Sequence, residues 1–171
     1  MPRLRLAITE KGRIPPMTNE IERKFLVKEI PAGLMNYPSN EISQGYLAVT
    51  DDAEIRIRKK GNKYFETVKS GKGLKRKEIE VEIGEKAFRS LWPRTEGKRV
   101  DKTRYEIPYD GLVIELDVYS GPLAGLAVAE VEFVSEEESA RFSPPEWLGR
   151  EVTHDVRYGN KSLALYGKPG D

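Results

Sequence analysis

The sequence predicts an α+β fold that is mainly antiparallel β: an eight-stranded closed barrel, tunnel-like and polar inside, flanked by a few helices. Three observations predict it. Short stretches between residues 20 and 134 alternate apolar with polar side chains, the period of a strand with one buried face. Gly, Pro and Asn signals separate these stretches as hairpin connections do. Finally, the polar face of nearly every strand carries ionisable groups of both signs. An open sheet would leave two unpaired edges and a dense layer of Arg and Glu in water. Closure removes the edges and lets the apolar faces point outward beneath the helices.

Residues 1–16 carry Arg3, Arg5, Lys11 and Arg13 and end in Pro15-Pro16, so they are expected to be a basic, flexible lead-in. The domain is taken as 17–171, with Met17 a candidate natural start. In the first strand, 20–27, Glu20, Glu22 and Lys24 share one face and Ile21, Arg23 and Phe25 the other. Pro31, Gly33 and Pro38 break up a connection with room for one short helix. Strand 42–49 has Gln44, Tyr46 and Ala48 on one face. In 53–60, Arg56 and Arg58 alternate with Ile55 and Ile57, and Gly61-Asn62 supplies the turn. Strand 64–69 places Lys69 with Phe65 and Thr67, before the basic connection Ser70-Gly71-Lys72-Gly73. In 76–83, Arg76, Glu78, Glu80 and Glu82 oppose Ile79, Val81 and Ile83.

Phe88, Leu91 and Trp92 recur at helical spacing before Pro93, which predicts a helix over 85–92. Strand 99–107 alternates Lys102, Arg104 and Glu106 with Thr103, Tyr105 and Ile107. Strand 112–119 sets Glu115 and Asp117 against Ile114, Leu116 and Val118, and strand 128–134 sets Glu130 and Glu132 against Ala129, Val131 and Phe133. Ser135 is an N-cap for a short acidic helix whose first turn holds Glu136, Glu137 and Glu138. The tail contains Pro144-Pro145, the lone His154, read as a loop residue, and a helical segment at 160–166.

Composition narrows the function. Charged residues make up 33% of the 171, yet 29 Lys and Arg nearly cancel 28 Asp and Glu. A nucleic-acid binder would show a basic excess, so none is expected as partner. Cysteine is absent, which excludes disulfides, Cys-ligated zinc and thiol catalysis. No apolar run approaches the ~20 residues of a membrane helix, and the N-terminus lacks a signal-peptide core, so a cytoplasmic protein without a membrane partner is expected. Charges of both signs facing one cavity imply a polyanion bound together with cations. Arg and Lys hold phosphate oxygens, while hard divalent ions take carboxylate and phosphate oxygens. Metal-dependent chemistry on a phosphate chain follows.

The blocks Glu20-x-Glu22-x-Lys24, Gln44-Gly45-Tyr46-Leu47, Arg56-Ile57-Arg58, Lys69-Ser70-Gly71 and Arg76-x-Glu78-x-Glu80 occur in the order of a known family. Lys102-x-Arg104-Tyr105, Glu115-Leu116-Asp117, Glu130-Val131-Glu132 and Tyr158-x-Asn160-Lys161 continue it. The chain from Met17 onward thus resembles the CYTH superfamily, the triphosphate tunnel metalloenzymes, and most closely the small bacterial inorganic tripolyphosphatases. The resemblance implies an eight-stranded tunnel and hydrolysis of the terminal phosphoanhydride of inorganic tripolyphosphate, or another triphosphate-containing small molecule, with Mg²⁺ or Mn²⁺. It implies Glu20, Glu22, Glu130 and Glu132 as metal ligands, supported by Glu78, Glu80 and Asp117. Lys24, Arg56, Arg58, Lys69, Arg76, Lys102, Arg104 and Lys161 would cradle the triphosphate, with Lys24 and Lys161 as catalytic groups. No histidine lies in these blocks, so the expected nucleophile is a metal-activated water oriented by a carboxylate or by Lys161.

Relatives that share the cradle include class IV adenylate cyclases, thiamine triphosphatases and RNA triphosphatases. No base-reading or thiamine-reading pocket stands out here, which favours tripolyphosphate. A cyclase is the alternative, and a non-catalytic polyphosphate or nucleotide sensor a third reading. A homodimer is compatible with the chain. Gly71-Lys72-Gly73 lacks the spacing of a Walker motif and reads as a hairpin connection. The basic run from Arg56 to Lys63, followed by Tyr64 and Phe65, would suit an RNA-binding strand, but the many nearby acids oppose it.

Overall fold

Alternating residues form strands wherever the pattern predicts them. The computed structural model describes residues 3–7, 18–71 and 77–170, with side chains from residue 21. Its ten strands are β1 (Arg3–Ala7), β2 (Thr18–Val27), β3 (Ser39–Val49), β4 (Ala53–Lys60), β5 (Lys63–Ser70), β6 (Lys77–Ile83), β7 (Arg99–Tyr109), β8 (Leu112–Ser120), β9 (Ala127–Phe133) and β10 (Leu148–Glu151). The helices are α1 (Glu85–Leu91), α2 (Glu136–Arg141) and α3 (Asn160–Tyr166). The short helix expected before β3 is a single 3-10 turn, Leu34–Asn36. The fold is α+β and mainly antiparallel. No helix among the described residues is long and apolar enough to cross a membrane.

Ten strands replace the eight expected. Arg3–Ala7, within the stretch read as a lead-in, is a strand: it runs parallel to β6 and antiparallel to the start of β2, with Arg3 opposite Glu20. Its Arg-Leu-Arg-Leu alternation is the period-two signal, set aside because basic residues and two prolines surround it. β10 is four residues with a glycine, too short to show a period.

The chain divides into two compact units, residues 1–20 with 42–99 and residues 21–41 with 100–171. In the first unit, β3, β4, β5 and β6 form an antiparallel meander. A bulge at Leu47 shifts the β3 register, so Tyr46 lies opposite Arg56 but Ala48 opposite Ile55. Ala48 therefore leaves the face of Gln44 and Tyr46, contrary to simple alternation. Gly45 is required by close approach: a Cβ there would sit 2.5 Å from Cβ of Thr95. α1 docks through Phe88, whose ring is 5.0 Å from both Tyr64 and Trp92, and Arg99 lies over Trp92 at 4.4 Å.

In the second unit, β7, β8, β9, β2 and β10 are neighbours in that order, all antiparallel. One face packs Phe25, Ile114, Leu116, Ala129, Val131 and Phe133 into the core. Phe142, which ends α2, meets Phe133 at 5.4 Å and Phe25 at 6.0 Å, and burying such a ring contributes about 1.5–3 kcal/mol. Arg23 fastens the edge: it forks onto Glu151 of β10 at 2.8 and 2.9 Å, donates to the Ser139 carbonyl of α2, and covers the Phe25 ring. Ser135 caps α2 as expected, its hydroxyl accepting from the Glu138 N–H.

Candidate functional site

Each unit buries a charged face. In the first, cross-strand register lines up Tyr46, Arg56, Thr67 and Glu80, and beside them Glu54, Lys69 and Glu78. Opposed residues of antiparallel strands share a face, so these rows are set by the backbone before any side chain reaches for a partner. Arg56 lies 3.8 Å from Glu78, and Arg58 donates to Glu80 at 3.4 Å. Lys69 sits between Glu54 at 3.8 Å and Glu78 at 3.9 Å. Thr67 donates to Glu80 at 2.9 Å, and the Gln44 amide donates to the Tyr46 hydroxyl at 3.1 Å. Arg56, Arg58, Lys69, Glu54 and Glu78 are all buried. Burial pushes the Tyr46 phenol above its usual range, although Arg56 opposes the shift.

The second unit holds a tighter set. Asp117, 1% exposed, accepts from Arg104 Nε at 2.7 Å and Nη2 at 2.8 Å, and from Lys102 Nζ at 2.7 Å. Arg104 also pairs with Glu115 at 2.6 Å. Lys24 lies directly opposite Glu130 across β2 and β9, with a 3.3 Å ion pair between them. Glu22 lies directly opposite Glu132 on the same two strands. The Asn160 carbonyl oxygen accepts from Tyr119 at 2.6 Å and from Lys102 at 3.3 Å.

Burial and pairing compete for the protons here. Burial alone would raise the Asp117 carboxyl, but Lys102 and Arg104 outweigh it and hold the carboxyl down at about 2. Burial lowers the Lys102 ammonium to about 8 despite Asp117, because one carboxylate shared with Arg104 does not replace the lost water. The pair thus favours the charged form of the acid and penalises that of the base, as expected where one anion faces two cations. The Arg104 guanidinium is raised by Asp117 and Glu115, although its burial opposes this. Glu130 is half-buried, and although desolvation would raise its carboxyl, Lys24 and Arg104 carry it below the usual range.

The sequence-predicted residues fall into two sets, one per unit. Arg56, Arg58, Lys69, Glu78 and Glu80 assemble in the first; Lys24, Lys102, Arg104, Asp117, Glu130, Glu22 and Glu132 occupy one face in the second. Lys161 is half-buried on α3, one residue after Asn160. The side chains of Glu20 and Arg76 lie outside the described residues. Glu78, Glu80 and Asp117, expected to support a metal, each engage cations of the predicted cradle.

A divalent cation fits the donor chemistry of the second set. Glu22 and Glu132 are opposed carboxylates with hard oxygens, and Mg²⁺ needs only one or two such ligands besides substrate phosphates and water. Among the described residues no three His, Cys, Asp or Glu converge as a metal cage.

Sequence reading missed Glu54, Glu115, Tyr119 and Asn160 as site members. Glu54 and Glu115 were legible, lying two residues before Arg56 and Asp117 on the same faces. Tyr119 and Asn160 carried no signal of their contact, because 41 positions separate them in sequence.

Comparison with known proteins places these faces in a family context. The CYTH domain model matches residues 18–164. The chain is 51% identical over 149 residues to an inorganic triphosphatase of Nitrosomonas europaea, covering 85% of this chain and 97% of the relative. It is 37% identical over 155 residues to an inorganic triphosphatase of Acetivibrio thermocellus, covering 86% and 94%. A crystal structure of an inorganic triphosphatase matches with a TM-score of 0.73 and 47% identity, covering 91% of this chain and 100% of that one. The family match spans the strands β2 to β9 that carry both charged faces, and this chain belongs to the CYTH domain family.

Proposed function

We propose that the chain hydrolyses the terminal phosphoanhydride of inorganic tripolyphosphate, with Mg²⁺ or Mn²⁺ as cofactor. The observation that carries this reading is the 51% identity to an inorganic triphosphatase across 97% of that relative's length. The buried cations Arg56, Arg58, Lys69 and Lys102, with the half-buried Arg104, support it, because burying so many basic groups is costly unless anions meet them. We further propose that the strands form a closed, tunnel-like barrel with a polar interior, as the family resemblance implies.

In this reading Arg56, Arg58 and Arg104 hold phosphate oxygens through forked N–H donors, while Lys24, Lys69 and Lys102 act as point charges. Asp117, Glu78 and Glu80 are counter-ions that orient these cations. Glu22 and Glu132 would hold the metal, joined by Glu20 and Glu130. The bound cation supplies Lewis-acid neutralisation of phosphate charge. Lys161 orients the attacking water. Water adds to the terminal phosphorus, the bridging P–O bond breaks, and orthophosphate and diphosphate leave with release of one proton. Fixed cations stabilise the charge that builds on the transferring phosphoryl group and the leaving diphosphate.

The test is to incubate the protein with Mg²⁺ and, separately, tripolyphosphate, ATP and thiamine triphosphate, measuring phosphate and cyclic AMP. Rapid phosphate release from tripolyphosphate, slower release from ATP and no cyclic AMP are expected. Rapid cyclic AMP formation would overturn the reading in favour of a cyclase, and preference for thiamine triphosphate would replace the substrate. Binding without turnover would leave a sensor.

A further inference from the structure

The Lys102 ammonium is only 4% exposed as a residue and is held from three sides. Asp117 accepts from it at 2.7 Å, the Asn160 carbonyl accepts from it at 3.3 Å, and the Tyr119 ring centroid is 5.5 Å away. Tyr119 is the residue directly opposite Lys102 across β7 and β8, so ring and ammonium share a face by register. The orientation of the Asn160 amide follows from its partners. An ammonium can only donate, so the Asn160 atom facing Lys102 must be the oxygen, and the Tyr119 hydroxyl must then donate to that same oxygen at 2.6 Å. One carbonyl oxygen thus ties α3 to both β7 and β8. The hydroxyl bond is the shorter of the two, and it fixes where that oxygen stands.

We propose that Tyr119 and Asn160 are positioning residues that act through Lys102: the Tyr119 hydroxyl locks the Asn160 oxygen, which with Asp117 aims the ammonium at the substrate phosphates. The inference rests on the reading of Lys102 as a substrate-facing cation. A slack ammonium would still attract a polyanion, because Coulomb attraction falls slowly with distance. It would lose the short, directed contact with charge that develops only in the transition state. The loss therefore falls on kcat and leaves KM nearly unchanged.

Tyr119→Phe keeps the buried ring and deletes only the hydroxyl; Asn160→Ala deletes the acceptor. Each, and the pair together, is assayed for tripolyphosphate hydrolysis with Mg²⁺ alongside Lys102→Ala, and each is melted. The proposal expects kcat to fall about ten- to hundredfold in each single variant, with KM within about twofold. It expects the double variant to be no worse than the weaker single, because both act through one contact. Tyr119→Phe should melt close to the parent. Unchanged kcat in Tyr119→Phe, a rise in KM alone, or additive losses in the double variant would each overturn it. A parent that does not hydrolyse tripolyphosphate sinks the functional reading instead, whereas an active parent with an impaired Lys102→Ala and normal Tyr119→Phe and Asn160→Ala sinks only this inference.

Discussion

Asp117 grips Arg104 through both carboxylate oxygens, at 2.7 and 2.8 Å, while one of those oxygens also takes the Lys102 ammonium at 2.7 Å. The bond pattern follows from register, since Arg104 lies directly opposite Asp117 and Lys102 is two residues away on the same face. One buried anion therefore faces two cations, and its removal leaves the buried Lys102 without a carboxylate partner and Arg104 with Glu115 alone.

Replacing Asp117 with Asn is expected to destabilise the protein by about 3–5 kcal/mol, measured by urea unfolding at neutral pH. The pH dependence has a definite sign. The folded carboxyl sits at about 2, below its ordinary value of 3.8, so its contribution is fully present above about pH 4 and is lost as pH falls toward 2. That window should carry on the order of 2–3 kcal/mol in the parent and be missing from the variant. Parallel stability curves for the two proteins between those limits would contradict the assignment.

Arg56 lies in the row of Tyr46 and Thr67 and pairs with Glu78 at 3.8 Å. Arg56→Ala should lower kcat/KM for tripolyphosphate at least tenfold, about 1.4 kcal/mol of transition-state stabilisation, with KM raised. Arg56→Lys should recover only part of it, because an ammonium cannot present two parallel donors. Steady-state kinetics on the two variants decide this, and full recovery by Lys would show that charge alone matters at this position.

Removing residues 1–16 strips β1 from its pairings with β6 and with the start of β2. The truncated protein should melt several degrees lower, where roughly 1 kcal/mol corresponds to about 2–4 °C for a chain of this size. KM for tripolyphosphate should not change, since none of the proposed ligands lies in that stretch. An unchanged melting temperature would show that the strand adds nothing to stability.

Strand positions and the polar faces were legible because period-two alternation survives in single sequence, as at Ile55 to Arg58 and Ala129 to Glu132. β1 obeyed the same rule but was masked by its basic, proline-bounded context. The Leu47 bulge was invisible, because an extra residue in one strand leaves no mark on the pattern of that strand. The ionisable members of the site could be named from the sequence, whereas their partners could not. Which cation meets Asp117, and that Asn160 reaches Lys102 from 58 positions away, depend on register and on where α3 docks. The carboxylates Glu78, Glu80 and Asp117 show the limit best: residue type permits metal binding, and only the pairing observed here points to a counter-ion role.

The central claim, that Glu22 belongs to a metal-dependent triphosphate site, is tested most directly by calorimetric melts of the parent and Glu22→Gln. Each is melted alone, and with Mg²⁺ plus a non-hydrolysable tripolyphosphate analogue at 100 times the parent's dissociation constant. Glu22 lies opposite Glu132, and like charges so placed repel, so the metal-free variant should melt no lower than the parent. Ligand and Mg²⁺ together should stabilise the parent by about 2.7 kcal/mol and the variant far less. Equal ligand shifts in both proteins, or none in the parent, would contradict the claim.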